Sequence, residues 1–307
     1  MLVEEGAGGV DTLRARRLKD RIFAALVFIG AGLALAPLFA ILASLVIHGG
    51  WVVVQRGLAF LTQPAPTGIG PALYGTLLLA ALSLLVALPL GLAVALFLYE
   101  FPGSKLSPSL RVIVQSLVEV PTILTGLFIY LLLVDPLPPL RHFYEATGLA
   151  RILPIGTYSG LAGALALALV VLPYVAVHAE TVLRQIPPTY REAALALGAT
   201  RQRAARIIAG MAARGLATAA IIAFAKAAGE TAPLLFTAGG GYYAYPPSPL
   251  AALTGPVGAV SLLIFAYARE PTPDRVATAW GAALVLTLLT LALILASRLL
   301  TRERLII

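Results

Sequence analysis

Long apolar runs without a charged residue constrain this chain more than any other feature. No Asp, Glu, Lys or Arg lies between Arg21 and Arg56, or between Arg56 and Glu100. A helix needs roughly 20 apolar residues to cross a hydrocarbon core about 30 Å thick. Because 60% of the residues are hydrophobic and only 12% are charged, a soluble fold could not bury all of these runs. The sequence therefore predicts an all-α integral membrane protein.

Six apolar segments are long enough to be transmembrane helices. The first is too long for the apolar part of a signal peptide, so we expect it to be retained. A further apolar piece, residues 257–268, is too short to span and predicts a re-entrant or surface helix at the outer mouth. The six predicted spans are residues 22–47, 72–99, 112–134 and 158–177, one span within 207–236, and 276–297.

The distribution of basic residues predicts the orientation. Lys and Arg are concentrated ahead of the first span and between the fourth and fifth spans, and such loops stay in the cytoplasm. Both termini are therefore expected to be cytoplasmic, and the net charge of +8 suits anionic lipid rather than nucleic acid. The predicted divisions are a basic tail at 1–21, the first helix with an outer loop at 22–71, a five-span core at 72–298 with a cytoplasmic loop at about 179–206, and a tail at 299–307.

Enzymatic chemistry finds little support in the sequence. The lysines are Lys19, Lys105 and Lys226, and none stands in a G-x-x-x-x-G-K-[ST] phosphate-binding loop. The chain has no cysteine, and its three histidines, His48, His142 and His178, are too scattered to predict a metal site. We therefore expect no catalytic residue, no metal site and no cofactor in this chain.

The loop between the fourth and fifth spans contains a short amphipathic helix. Pro187 and Pro188 are expected to end any helix that precedes them. Glu192 follows Thr189 by three residues, which is the spacing of a capping box. A helix is thus predicted from about Tyr190, with Gly198 turning the chain toward the fifth span. Ala193, Ala194 and Leu197 would share an apolar face. From periodicity alone, a helix lying on the membrane surface is the alternative.

The pattern Glu192-Ala193-Ala194, three residues and Gly198 resembles the EAA loop of ABC importer permeases. In that family this helix is the coupling helix, which docks in a groove of the ATP-binding subunit. The chain departs from the family where Gly210 and Met211 stand in place of Leu-Pro. The resemblance implies these ATPase-coupling residues: Tyr190, Glu192, Ala193, Ala194, Leu197 and Gly198.

A second candidate site lies in the fifth span. Lys226 and Glu230 are four residues apart, so on one helix they would share a face, with Gly229 keeping the stretch slim. A charge at the bilayer centre costs at least about 2.5 kcal/mol, so both should face the bundle interior or water. One interpretation is an ion pair that only joins helices. The other is that Lys226 attracts a passing anion while Glu230 neutralises it between transport events.

The peptide AKAAGETAPLLFTA around Lys226 resembles the phosphate-specific ABC permeases of the PstA type, and the resemblance covers most of the chain from Tyr74 onward. It implies six transmembrane helices in the type I ABC importer permease fold. It also implies a substrate pathway containing Lys226, Glu230, Thr231 and His178. That family often carries an arginine near the position of His178, so an anion contact at this level would come from His178 or from a partner.

The resemblance further implies the partners and the location. These are a homologous permease subunit, ATP-binding cassette subunits that carry ATP and Mg, an extracytoplasmic phosphate-binding protein and the surrounding lipid, in the plasma (inner) membrane of a bacterium or archaeon. A permease for sulfate or molybdate is one alternative. A proton-linked secondary anion carrier is another, although the inverted repeats common in such carriers are not evident.

Overall fold

The structure, a computed structural model, describes residues 7–301, and apart from one isolated backbone bridge the regular structure in that range is helical. A π-helical turn follows α1 at Leu45–Gly49, another extends α5 at Tyr130–Val134, and a 3-10 turn follows α6 at Leu149–Arg151. The α-helices are α1 (Ala7–Ser44), α2 (Gly50–Thr62), α3 (Gly70–Glu100), α4 (Leu106–Glu119), α5 (Thr122–Ile129), α6 (Pro138–Thr147), α7 (Gly160–Arg184), α8 (Pro188–Ala196), α9 (Arg201–Met211), α10 (Ala213–Gly229), α11 (Ala232–Thr237), α12 (Pro249–Thr254), α13 (Val260–Tyr267) and α14 (Pro273–Thr301).

Among residues 7–301, 4 helical segments are long and apolar enough to cross a membrane, or up to 6 if each of two bent pairs counts as one span. The 4 segments overlap the predicted first, second, fourth and sixth spans, although the first of them continues as helix to Thr62, within the predicted outer loop. They are Leu18–Thr62, Gly70–Glu100, Gly160–Arg184 and Pro273–Leu299. Helix α1 already begins at Ala7, so much of the predicted basic tail continues the first span as helix. Most of the predicted tail at 299–307 lies outside the described residues.

The predicted third span is not one continuous helix. Helix α4 and the segment Thr122–Val134 meet at an angle of 97°. Pro121 causes the bend, because it has no N–H to donate and it drives the preceding Val120 into an extended conformation (ψ 128°). Helix α4 therefore runs nearly perpendicular to Thr122–Val134.

The predicted fifth span is divided between helices. Helices α9 and α10 meet at Ala212 with a bend of 69°, and α10 ends at Gly229. Glu230 then has an extended backbone (ψ 140°) before the short helix α11 begins. The segment is a broken helix, and the break falls at one of the two charged residues that the sequence singled out.

The largest core lies where α3, α7, α10 and α11 meet, around Leu79, Leu167, Val171, Ala223 and Leu234. Small residues let these helices approach closely. Gly91 of α3 faces α7, where a Cβ would lie 2.7 Å from Cγ1 of Val175. Three further cores surround it: one joins α2, α13 and α14, one joins α3, α7 and α9, and one joins α5 and its π-helical extension to α7.

The apolar piece at residues 257–268 forms α13, a helix of 8 residues, as expected for a segment too short to span. It is buried rather than exposed, since Val260 and Leu263 have no accessible surface and pack in the core shared with α14. Its first residue is tied to α3, because the backbone N–H of Val260 donates to Oγ1 of Thr76 at 2.8 Å. This helix closes the end of the bundle opposite to α8.

Candidate functional site

Lys226 lies on α10 beside α7, with 33% of its side chain exposed. Its ammonium group pairs with the carboxylate of Glu230. The same Nζ lies 5.2 Å from the centroid of the Tyr174 ring on α7, a distance at which the ring face attracts a cation. The cation therefore has one charged partner and one aromatic partner and still keeps accessible surface. We call Lys226, Glu230 and Tyr174 the Lys226 site.

Glu230 does not share a helical face with Lys226, contrary to the prediction, because α10 ends one residue before it. Its side chain is 10% exposed and reaches back over the helix end to the lysine. The carbonyl oxygen of Glu230 accepts a hydrogen bond of 2.7 Å from Oγ of Ser261 on α13. Thr231 follows immediately, ahead of α11. Gly229 has no atom within 4 Å of where a Cβ would stand, so its small size serves no contact in the described part of the chain.

His178 lies within α7, which continues to Arg184. Its Nδ1 lies 2.8 Å from the carbonyl oxygen of Tyr174, one turn earlier on the same helix. The structure describes no side-chain hydrogen bond or ion pair that joins it to Lys226 or Glu230. Sequence reasoning missed Tyr174, which is the residue of α7 that reaches the lysine. A tyrosine following Pro173 within an apolar run was the available signal.

A cleft of about 230 Å³ lies between α3, α4 and α7, beyond Tyr174 toward the α8 end. On its wall Nη2 of Arg111 donates to Oε1 of Glu180 at 2.7 Å, and Nε of Arg184 donates to the same oxygen at 2.9 Å. The Glu180 carboxylate is 12% exposed and pairs with two guanidinium groups. One carboxylate cannot neutralise both, so the cluster carries one net positive charge. The four-residue spacing of Glu180 and Arg184 was a local signal for half of this cluster, whereas Arg111 comes 69 residues before Glu180 and no spacing indicates it.

Helix α8 carries the residues of the predicted coupling surface, but it begins differently from the prediction. The helix starts at Pro188, its N-cap is Pro187, and the cap makes no side-chain hydrogen bond. The predicted capping box of Thr189 and Glu192 is therefore wrong. Proline at the first helical position has the required φ and no N–H to satisfy, so α8 can begin without a side-chain cap.

The three residues predicted to share an apolar face of α8 are not all buried. Ala194 is buried, whereas Ala193 is exposed and Leu197 is 90% exposed. Tyr190 (52% exposed) and Glu192 also face outward. Gly198 ends the helix with φ 82°, as predicted for the turn, and no atom lies within 4 Å of where its Cβ would be. The outward side of α8 is thus a small surface with an acidic, an aromatic and an aliphatic side chain.

One ion pair holds the inward side of α8. Arg191 donates from Nε at 2.9 Å and from Nη2 at 2.7 Å to Oε2 of Glu100, the last residue of α3. The hydrogen bond to Glu100 is the main cause that raises the pKa of Arg191, so the guanidinium stays charged at any physiological pH. Sequence reasoning missed this pair. A carboxylate placed at the end of a long apolar run was its only signal.

No group of three or more His, Cys, Asp or Glu side chains within residues 7–301 is arranged to hold a metal ion. The charged side chains described above instead form ion pairs with one another.

Comparison with known proteins places these features in a family. Residues 87–304 match the family model described as "Binding-protein-dependent transport system inner membrane component". The probable phosphate transport system permease protein PstA of Methanocaldococcus jannaschii is 42% identical over 91% of this chain and 92% of its own length. The phosphate transport system permease protein PstA 1 of Mycobacterium tuberculosis (H37Rv) is 32% identical over 93% of this chain and 88% of its own length.

Among solved structures, a chain of the inward-facing MetNI methionine ABC transporter superposes with a TM-score of 0.56. The match covers 76% of this chain and 96% of that chain at 20% identity, so it shows a similarity of fold alone. The fold class expected from the sequence is thereby confirmed as the type I ABC importer permease fold. The chain belongs to the family of binding-protein-dependent transport system inner membrane components.

Proposed function

We propose that this chain is a permease subunit of an ATP-driven phosphate importer, forming the pathway and coupling it to a separate ATPase. The observation that carries this proposal is the similarity, over nine-tenths of both chains, to a relative named as a phosphate transport permease. The family describes a membrane component of a transport system, so the chain itself is no ATPase. The two alternatives, another oxyanion and a proton-linked secondary carrier, are not favoured by the relatives' names or by the family's dependence on binding proteins.

The proposed assembly contains a homologous permease subunit, two cytoplasmic ATPase subunits that bind ATP and Mg, and an extracytoplasmic phosphate-binding protein. The chain would lie in a bacterial or archaeal plasma membrane with both termini in the cytoplasm. The outward side of α8 supports the docking role, because an aliphatic side chain 90% exposed beside a carboxylate is suited to a protein partner. Closure of the ATPase pair would move α8, tilt the segments from α4 to α10, and expose the Lys226 site to each side in turn.

Lys226 is proposed as the positive charge that phosphate meets on the pathway, with Thr231 and His178 as further pathway residues. Lysine binds phosphate as a point charge. Because Glu230 and Tyr174 already hold the ammonium group, the site is arranged before phosphate arrives, and phosphate would compete with the carboxylate for the same cation. Such competition gives weak binding, which suits a residue that must also release its ligand.

Phosphate uptake and ATP hydrolysis in liposomes containing the assembled complex test this function. Lys226→Ala is expected to abolish uptake with assembly preserved, and Lys226→Arg is expected to retain part of it. Lys105→Ala is the matched control, since Lys105 is exposed at the start of α4 and has no place in the site. Sulfate in place of phosphate should give no uptake in the wild type. Unchanged phosphate uptake by Lys226→Ala would reduce the pair to a structural link between helices.

The docking role of α8 has its own test. Glu192→Arg reverses the charge of an exposed residue and is expected to leave the membrane fold intact while separating ATP hydrolysis from transport. Normal transport by this variant would remove Glu192 from the ATPase contact.

A further inference from the structure

The contact between Arg191 and Glu100 is the only ion pair within residues 7–301 that joins α8 to a membrane-spanning helix. It connects residues 91 positions apart in the chain. Two nitrogens of one guanidinium converge on one carboxylate oxygen, so the contact fixes direction as well as distance. A displacement of α8 must therefore either carry the end of α3 with it or break both hydrogen bonds.

Burial makes breaking unfavourable. The side chain of Glu100 is only 6% exposed and that of Arg191 26%. The other carboxylate oxygen, Oε1 of Glu100, is buried and has no hydrogen-bond partner among the described residues. Arg191 is thus the only described donor to this carboxylate, and a buried charge that loses its only donor is strongly disfavoured. The remaining charged neighbour of Arg191 is Glu192, which lies on the exposed side of α8.

A continuous set of contacts leads from this pair to the Lys226 site. Helix α3 runs unbroken from Glu100 back to Gly91, where the absence of a side chain lets it pack against Val175 of α7. Tyr174, the adjacent residue, presents its ring to Lys226. Movement of the α3 end would therefore be passed to the aromatic partner of the cation through packed helices rather than through a loop.

We propose that Arg191 is a positioning residue that transmits the displacement of α8 to α3, and through Val175 and Tyr174 to the Lys226 site. The inference rests on the proposed function, since it assumes that α8 is moved by an ATPase. It assigns separate tasks to neighbouring residues of one helix. Glu192 and Leu197 face the partner, whereas Arg191 faces the membrane helices.

The first experiment measures phosphate imported per ATP hydrolysed by the full complex in liposomes. Arg191→Gln removes the charge and is expected to lower this ratio by about tenfold while ATP hydrolysis continues, the size of a typical coupling free energy. Arg191→Lys keeps the charge without the fork and is expected to recover part of the ratio. Arg201→Gln, an exposed arginine at the start of α9, is the matched control and should leave the ratio unchanged.

The second experiment does not depend on the substrate. Because the chain has no native cysteine, spin labels at Ala93→Cys on α3 and Ala196→Cys on α8 report a single distance in the complex. In the wild-type background this distance should be the same with and without bound ATP, since the two helices move together. With Arg191→Gln it should change on ATP binding, because α8 then moves without α3.

The outcomes separate the two proposals. A wild-type complex that imports no phosphate overturns the proposed function, and the label distances still decide the role of Arg191. An unchanged transport ratio and an unchanged ATP response of the label distance in Arg191→Gln overturn the inference. A parallel loss of uptake and hydrolysis, with the ratio kept, would also overturn it, because that is the result of a residue that only stabilises the fold.

Discussion

Replacing Gly126 of α5 by alanine should push away α11, and so disturb the break in the helix at Glu230, which lies just before α11. A Cβ at Gly126 on α5 would lie 2.5 Å from Cα and 2.7 Å from the carbonyl oxygen of Pro233 on α11. Carbon atoms in ordinary contact are about 3.5–4.0 Å apart, so the two helices must separate by about 1 Å. Both neighbouring atoms belong to the backbone and cannot rotate away, which indicates a cost near the upper end of the about 1–3 kcal/mol typical of overpacking.

This cost should appear in thermal unfolding of the purified chain in detergent and in transport by the complex. If the slope resembles that of soluble domains of 150–250 residues, the Tm of Gly126→Ala would fall by roughly 6–12 °C. Phosphate uptake should fall too, because α11 follows directly on Glu230. Gly210→Ala on α9 is the control, since no atom lies within 4 Å of its added methyl group, and it should be neutral or raise stability by up to about 1 kcal/mol. An unchanged Tm and full uptake in Gly126→Ala would refute the packing argument.

Three further changes have expected outcomes. Gly198→Ala places a side chain at φ 82° with no steric neighbour, so it should cost about 1–2 kcal/mol through the backbone alone and lower the transport ratio; a Tm and ratio equal to wild type would contradict this. Tyr174→Leu removes an attraction of about 0.5–2 kcal/mol for Lys226 and should lower phosphate uptake several-fold, whereas Tyr174→Phe keeps the ring and should transport normally; equal uptake by both variants would exclude a role for the ring. Glu180→Gln leaves Arg111 and Arg184 facing each other without their shared carboxylate and should lower the Tm of the chain, and high salt should reduce the difference by screening the two cations; a salt-independent difference would point to packing instead.

The apolar runs and their boundaries were sufficient to predict four long spanning segments, because a run of apolar residues that crosses lipid must be helical whatever its neighbours are. The turn at Gly198 was predictable for a similar local reason, since glycine is the residue that tolerates a positive φ without cost. Both inferences depend on rules that act within a few residues.

The departures from prediction arise where several rules compete. Residues 112–134 were predicted as one span, but the bend of 97° at Pro121 leaves α4 nearly perpendicular to Thr122–Val134, and the sequence alone does not determine that angle. The spacing of Lys226 and Glu230 suits a helix, and the chain nevertheless leaves the helix between them, since the following Pro233 and the contact of Ser261 favour a break. The pair of Arg191 and Glu100 joins segments 91 residues apart, and the carboxylate at the end of a long apolar run did not indicate which residue would be its partner.

The two bent segments also bear on the electrostatic barrier that an ion meets when it crosses the membrane. Thr122–Val134 is about 20 Å long and α10 about 26 Å, both shorter than a hydrocarbon core of about 30 Å. Where the adjoining helices α4, α9 and α11 do not supply the remaining length, a thinner bilayer or water at the bent ends would have to meet it. Either response would make the low-dielectric layer beside α5 and α10 thinner than it is beside the four long segments. Such thinning would lower the electrostatic barrier to a multivalent anion along these helices through the shape of the backbone, before any side chain contributes.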